Sequence, residues 1–79
     1  MHEKPIIQNI LEIVKENARK EGINRVTKLK VKVGENSSIK TDVLRSVFES
    51  LSYGTPVQGA QLEIEKVKGR LDLVLESFE

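Results

Sequence analysis

The chain opens on residues able to bind a metal ion. Met1 offers an α-amine, His2 carries the only imidazole among the 79 residues, and Glu3 adds a carboxylate. The amine, the ionised amide nitrogen of His2 and the His2 ring nitrogen can close fused chelate rings on one ion. The Glu3 amide nitrogen or carboxylate can fill a fourth position. Such a planar donor set suits Ni(II) or Cu(II) rather than tetrahedral Zn(II). Met1, His2 and Glu3 are therefore the predicted metal ligands.

These donors must lose protons before they bind, so metal affinity is expected to fall steeply as the pH drops. The alternative interpretation is that His2 is a polar residue at a frayed chain end and binds nothing. The residue types alone leave both interpretations open.

Composition excludes several other kinds of chemistry. Zero cysteines exclude disulfides, a thiol nucleophile and a cysteine-ligated zinc site, so no zinc is expected. A single histidine at the chain end does not assemble a Ser/His/Asp set. The chain is accordingly not predicted to be an enzyme.

Charge and hydropathy exclude two classes of partner. The 13 basic and 12 acidic residues leave a net charge of +1, which gives no overall attraction to nucleic acid or to an anionic membrane. No apolar run approaches the roughly 20 residues of a membrane span. The first residues lack the basic-then-apolar pattern of a signal peptide, and a cytoplasmic location is expected.

The first predicted element is a helix from Pro5 to Lys20. Its apolar residues recur at helical period, namely Ile6, Ile7, Ile10, Leu11, Val14 and Ala18. Pro5 suits a first turn and disfavours helical dihedrals at Lys4, so residues 1–4 are expected to form an extended lead. Gly22 is expected to end the helix.

Alternation then predicts strands around a second helix. Leu29, Val31 and Val33 alternate with lysines in a strand from Val26 to Val33, which Gly34 stops. A helix from about Thr41 to Leu51 follows, with Thr41 as its N-cap and Asp42 in its first turn. Its predicted buried residues are Val43, Leu44, Val47, Phe48 and Leu51.

Two further strands complete the predicted fold. Ala60, Leu62 and Ile64 mark the second strand, and Leu71, Leu73 and Leu75 mark the third. Lys68-Gly69 is a turn signal, so these two strands are expected to form an antiparallel hairpin. The first two strands are expected to be parallel with a right-handed crossover. The prediction is an α+β domain over residues 1–79, in the order α-β-α-β-β, with two helices on one face of a mixed three-stranded sheet.

The strand lysines need an explanation of their own. Lys28, Lys30 and Lys32 are interpreted as the solvated side of a strand, facing Glu63 and Glu65 in register-fixing ion pairs. The alternative is a small nucleic-acid binder that uses the lysine row, which predicts strongly salt-dependent binding. Phe48 and Tyr53 are interpreted as the core and its edge rather than as a base-stacking platform.

Several motifs in one order resemble the hydrogenase nickel-incorporation family of the HypA/HybF type. They include Met1-His2-Glu3, the run Ile10 to Val14, the strand ending in Gly34-Glu35, Phe48-Glu49, Gly54-Thr55-Pro56 and Gly59 to Glu65. The resemblance is collinear from residue 1 to about residue 67, and Gly69 to Glu79 resembles the family's final strand.

The resemblance implies a nickel metallochaperone that serves nickel–iron hydrogenase maturation, and urease in some organisms. It implies nickel held by the Met1 amine, the His2 amide and ring nitrogens and the Glu3 amide. Its implied partners are a nucleotide-hydrolysing nickel chaperone and the hydrogenase large subunit. Family members also form dimers, and exposed strand edges would permit a homodimer here.

The chain departs from the family pattern at three places. The family's zinc module, with two Cys-x-x-Cys pairs, is missing between about residues 67 and 70. Lys4 and Pro5 replace an apolar residue and a serine, and Lys40 stands where an acidic residue is frequent. Lys4 adds a positive charge beside the metal, and Lys40 removes a candidate supporting ligand. Both changes predict a weaker nickel site or one that no longer delivers metal. These departures also motivate the alternative of a metal-free interaction module on the same scaffold.

Overall fold

The computed structural model describes residues 3–69 and 73–79. It confirms an α+β fold with the predicted order of elements. The helices and strands are α1 (Glu3–Lys20), β1 (Lys28–Gly34), α2 (Thr41–Ser52), β2 (Gln61–Val67) and β3 (Val74–Phe78).

Helix α1 begins earlier than the sequence indicated. Lys4 was expected in an extended lead, but Glu3 and Lys4 are both helical. Pro5 tolerates this because the first four N–H groups of a helix have no intrahelical partner, so its missing N–H breaks no bond there.

The end of α1 follows the prediction. Gly22 has a φ of 72°, a left-handed conformation that favours glycine. The Ile23 N–H donates to the Ala18 carbonyl at 2.8 Å, and the Gly22 N–H donates to the Arg19 carbonyl at 3.2 Å. This pair of bonds is a Schellman motif, which satisfies carbonyls that the helix leaves without partners.

The sheet has the strand order β2-β1-β3. Strands β1 and β2 are parallel, as predicted, with Leu29 beside Leu62 and Val31 beside Ile64. The predicted hairpin between the last two strands is wrong, because β3 pairs antiparallel with β1 on its other side.

Bonds at the end of β1 explain why no hairpin forms. The Glu35 N–H donates to the Val67 carbonyl at 2.7 Å, and the Asn36 N–H donates to the Gly69 carbonyl at 3.1 Å. Residues after β2 are thereby tied to the turn after β1, and β3 lies on the other side of β1. Pairing with β1 also uses the second edge of that strand. Leu71, predicted in the third strand, lies outside the described residues.

Strand β3 contains one irregularity at Glu76. Lys30 lies opposite Ser77 and Val31 lies opposite Leu75, so Glu76 is an extra residue in β3 and forms a β-bulge. Because of this extra residue, Leu75 and Phe78 both pack toward the core.

The core lies between the helices and the apolar face of β1. Leu29, Val31 and Val33 are 1–2% exposed, and they join Ile7, Val14 and Leu44 in one apolar cluster. This arrangement confirms that the alternating residues of β1 separate into a core face and a lysine face.

Helix α2 differs from its prediction in two details. Lys40, not Thr41, is the N-cap, and it makes no side-chain capping bond. Val43 was predicted to be buried but is 37% exposed, whereas Leu44, Phe48 and Ser52 are buried. Buried residues four apart place a narrow stripe against the core, and Val43 lies outside that stripe.

Candidate metal centre at the start of helix α1

One of the three predicted metal ligands, Glu3, lies at the start of α1. Met1 and His2 lie outside the described residues, and Glu3 is described only as the first residue of the helix. The geometry of the donor set therefore stays a prediction, while the backbone that carries it is defined from Glu3 onward.

The start of α1 leaves the Glu3 amide available for chemistry. The first four N–H groups of an α-helix have no intrahelical acceptor, and Glu3 is the first helical residue. Ionising the Glu3 amide nitrogen therefore breaks no helical hydrogen bond. The adjacent Pro5 has no N–H that would compete for the ion.

Buried residues fix this helix start to the rest of the molecule. Ile7 is 2% exposed, and Leu11 and Val14 are 4% and 0% exposed. Lys4 and Pro5 are exposed, and Ile6 is half-buried. The first turn is thus accessible on its outer side and anchored one turn later.

The positive charges near the start of α1 disfavour binding of a metal cation there. The first turn of a helix carries roughly half a positive charge from its free N–H groups. Lys4 adds a full charge within that turn, and its side chain is exposed to solvent. A deprotonated amide nitrogen would offset part of this field because it supplies negative charge at the same place.

The lysine row lies on the face of the sheet opposite the helices, as predicted. Lys28 Nζ lies 3.3 Å from a Glu63 carboxylate oxygen, and Lys30 Nζ lies 3.8 Å from one of Glu65. Glu76 of β3 contacts both Lys30 at 3.8 Å and Lys32 at 3.6 Å. These lysines are ion-paired within the sheet, which favours the structural interpretation over nucleic-acid binding.

Phe48 is 6% exposed and belongs to the core, as interpreted from the sequence. Tyr53 was interpreted as the edge of the core, but it is 78% exposed at the end of α2 and is not among the residues packed against the core. Within residues 3–69 and 73–79, no three His, Asp or Glu side chains are placed to hold a metal ion. Over the same residues, no helix is both long and apolar enough to cross a bilayer.

One polar residue with a defined contact was not singled out from the sequence. Arg45 Nη1 donates a hydrogen bond to the Leu62 carbonyl at 2.7 Å, joining α2 to the outer strand β2. An arginine on the polar side of an amphipathic helix looks solvated in the sequence, and no local pattern would have revealed this partner.

Comparison with known proteins identifies relatives across nearly the whole chain. A family profile described as "Hydrogenase/urease nickel incorporation, metallochaperone, hypA" matches residues 1–72. The hydrogenase maturation factor HypA of Methanopyrus kandleri is 42% identical over 69 residues, covering 87% of this chain and 49% of the relative.

The HypA protein of Chlorobaculum parvum is 35% identical over 80 residues, covering 99% of this chain and 71% of the relative. The chain spans about half the length of several curated relatives. It covers 49% of the Methanopyrus kandleri protein and 57% of the HypA protein of Lawsonia intracellularis.

A solved structure shares the fold. The solution structure of the Ni metallochaperone HypA from Helicobacter pylori superposes with a TM-score of 0.85. The match covers 100% of this chain and 97% of that one, at 18% sequence identity.

Proposed function

We propose a nickel-carrying role for this chain, which belongs to the hydrogenase/urease nickel-incorporation metallochaperone family. Residues 1–79 would act as one nickel-binding domain, and the metal would be cargo that is passed on rather than a resident catalytic ion. The structural support for the proposal is that Glu3 lies in the first turn of α1, where a backbone N–H has no intrahelical acceptor.

The proposed ligands are the Met1 amine, the amide and ring nitrogens of His2, and the Glu3 amide. Four nitrogen donors in one plane would hold Ni(II) in its diamagnetic square-planar form. An exposed first turn supports transfer, because a partner can approach the ion from outside and exchange ligands one at a time. The anchored residues behind that turn would keep the ligands in one place during the exchange.

The finer assignments follow from family membership. We propose that the receiving proteins belong to the hydrogenase maturation system, namely a nucleotide-hydrolysing nickel chaperone and the hydrogenase large subunit. We propose no zinc site, because the chain contains no cysteine. Nickel binding by this chain can be tested independently of both assignments.

Titration with Ni(II) at neutral pH tests the proposal, using protein that begins at Met1 with a free amine. The expected result is a visible absorption band of diamagnetic planar nickel that saturates at one ion per chain. Two changes should abolish this band, namely His2→Ala and a one-residue extension before Met1. Lys4→Ala is a matched control that keeps all donors, and it should tighten binding. Absence of the band in the unextended protein would disprove the proposal.

A further inference from the structure

A groove runs between α2 and the outer strand β2. We call it the α2–β2 groove, and its lining includes Arg45, Phe48 and Glu49 from α2 with Ala60 and Leu62 from the strand side. Phe48 and Leu62 are 6% and 7% exposed, and Ala60 is half-buried. The groove therefore has an apolar floor and polar walls.

Some main-chain groups of β2 face the outer edge of the sheet, beside this groove. The Gln61 N–H donates to the Thr27 carbonyl at 2.9 Å, so the backbone of Gln61 faces the neighbouring strand β1. Because backbone groups alternate in direction along a paired strand, those of Leu62 and Ile64 face the open edge. Arg45 Nη1 donates to the Leu62 carbonyl at 2.7 Å and so covers one of these groups. This contact does not cover the backbone N–H and C=O of Ile64, so an added strand could bond to them.

Side chains on β2 specify what kind of strand would fit. Its inner neighbour β1 alternates lysine with leucine or valine, and Glu63 and Glu65 each contact one of those lysines. A carboxylate has two oxygens and accepts more than one bond. Glu63 and Glu65 can therefore also bind basic side chains of a strand added on the outer side of β2. The apolar residues that alternate with those basic residues would contact the floor of the α2–β2 groove.

A second copy of β2 does not meet this requirement. In antiparallel self-pairing, registers centred on Glu63, Ile64 or Glu65 place glutamate opposite glutamate. Like charges directly opposite each other are destabilising. The charge pattern thus selects a basic partner segment over the same strand from another copy.

We propose that the α2–β2 groove binds an extended segment of a partner protein in which lysine or arginine alternates with apolar residues. The segment would add to the sheet as a fourth strand beside β2. Arg45 would limit access by competing for the Leu62 carbonyl and by repelling basic groups. This docking site does not involve the predicted nickel ligands, so either proposal can fail without the other.

The test uses a synthetic peptide with blocked ends, Lys-Leu-Lys-Val-Lys-Val-Gly, which copies Lys28 to Gly34. It is titrated into nickel-free, ¹⁵N-labelled protein at low salt, and amide chemical shifts are followed. The expected result is saturable shifts centred on Leu62, Ile64 and Lys66, which weaken as salt screens the charges. A control peptide with glutamate in place of each lysine should produce none.

Two variants sharpen the result. Arg45→Ala should tighten peptide binding by about threefold to tenfold, the scale of one hydrogen bond. Arg19→Ala removes the same charge from α1 and should leave the affinity unchanged. The proposal is overturned if millimolar peptide leaves the β2 amides unshifted, if the largest shifts fall on β3, or if both peptides act alike. Concentration-dependent self-association through β2, detected by sedimentation, would also overturn it.

Discussion

The two outer strands of the sheet flank the same central strand, but their outer edges differ in what limits further strand pairing. Strand β2 is regular, parallel to β1 over seven residue pairs, and covered at Leu62 by the Arg45 side chain. Strand β3 is shorter, antiparallel and interrupted by the bulge at Glu76. A bulge twists an edge away from further pairing, whereas a side chain can be moved aside. The β2 edge is therefore the one that can open to a partner.

The two strands also differ in how much core they supply. Leu62 of β2 is 7% exposed, but the inward residues of β3, Leu75 and Phe78, are only half-buried. Stability should therefore depend more on the β2 side of the sheet than on the β3 side.

Truncation of one leucine on each side gives the largest expected effects. Leu62→Ala should lower the free energy of unfolding by about 2–4 kcal/mol, within the range for buried leucines. Leu75→Ala should lower it by about half as much, because Leu75 is only half-buried and its truncation removes less buried apolar surface. Urea unfolding measures both, and equal losses would contradict the stated difference between the strands.

Removal of the Arg45 contact is expected to have a smaller effect. Arg45→Ala should lower stability by up to about 1 kcal/mol, because the Leu62 carbonyl loses the hydrogen bond that Arg45 donates to it. Thermal unfolding measures the loss, and Arg19→Ala, which removes only the exposed ion pair with Glu16, should lower stability less. A stability loss as large as that of Leu62→Ala would mean that Arg45 packs the core and does not merely cover an edge.

The glutamates on the open face allow a finer comparison. Glu76 contacts two lysines and Glu63 contacts one, at 3.3–3.8 Å. All of these side chains are at least 35% exposed, so each pair should contribute less than about 1 kcal/mol. Glu76→Gln should lower stability more than Glu63→Gln at low salt. The difference should vanish near 1 M salt, where the screening length is about 3 Å, and a salt-independent difference would count against ion pairing.

The smallest effect is expected outside the sheet, at Glu16 on α1. Arg19 donates a 2.6 Å hydrogen bond to Glu16, and this bond and the arginine charge lower the pKa of Glu16 below its ordinary 4.5. A lowered pKa stabilises the fold above the unfolded-state value and loses that contribution as the pH falls through the folded-state value. Glu16→Gln should therefore slightly lower the melting temperature at pH 7 and leave it unchanged in strong acid. If the melting temperature of Glu16→Gln stayed below that of the unsubstituted protein in strong acid, the stabilising effect of ionised Glu16 would be contradicted.

Local patterns were sufficient for part of this fold. The periodicity of residues 6–18, the alternation around Leu29 and the position of Gly22 predicted α1, β1 and the end of the helix. The lysine and glutamate rows also predicted the ion pairs across β1 and β2. Each of these signals comes from residues that the element itself contains.

Long-range choices were not predictable in the same way. The hairpin of β2 and β3 was favoured by their closeness in sequence, yet Glu35 and Asn36 bond to residues at or just after the end of β2, and β3 pairs with the other edge of β1. The Glu76 bulge and the Arg45 contact likewise depend on which strands become neighbours. The metal ligands Met1 and His2 stay a prediction from residue types and family resemblance.

The most direct test of the nickel proposal follows individual amide protons. Ni(II) is added to ¹⁵N-labelled protein with a free Met1 amine, and the His2 and Glu3 N–H signals are observed. The expected result is a diamagnetic complex in which both N–H signals disappear while those of Gln8 to Lys20 persist. Retention of the His2 N–H signal at saturating nickel, or paramagnetic broadening along α1, would contradict amide coordination at the chain start.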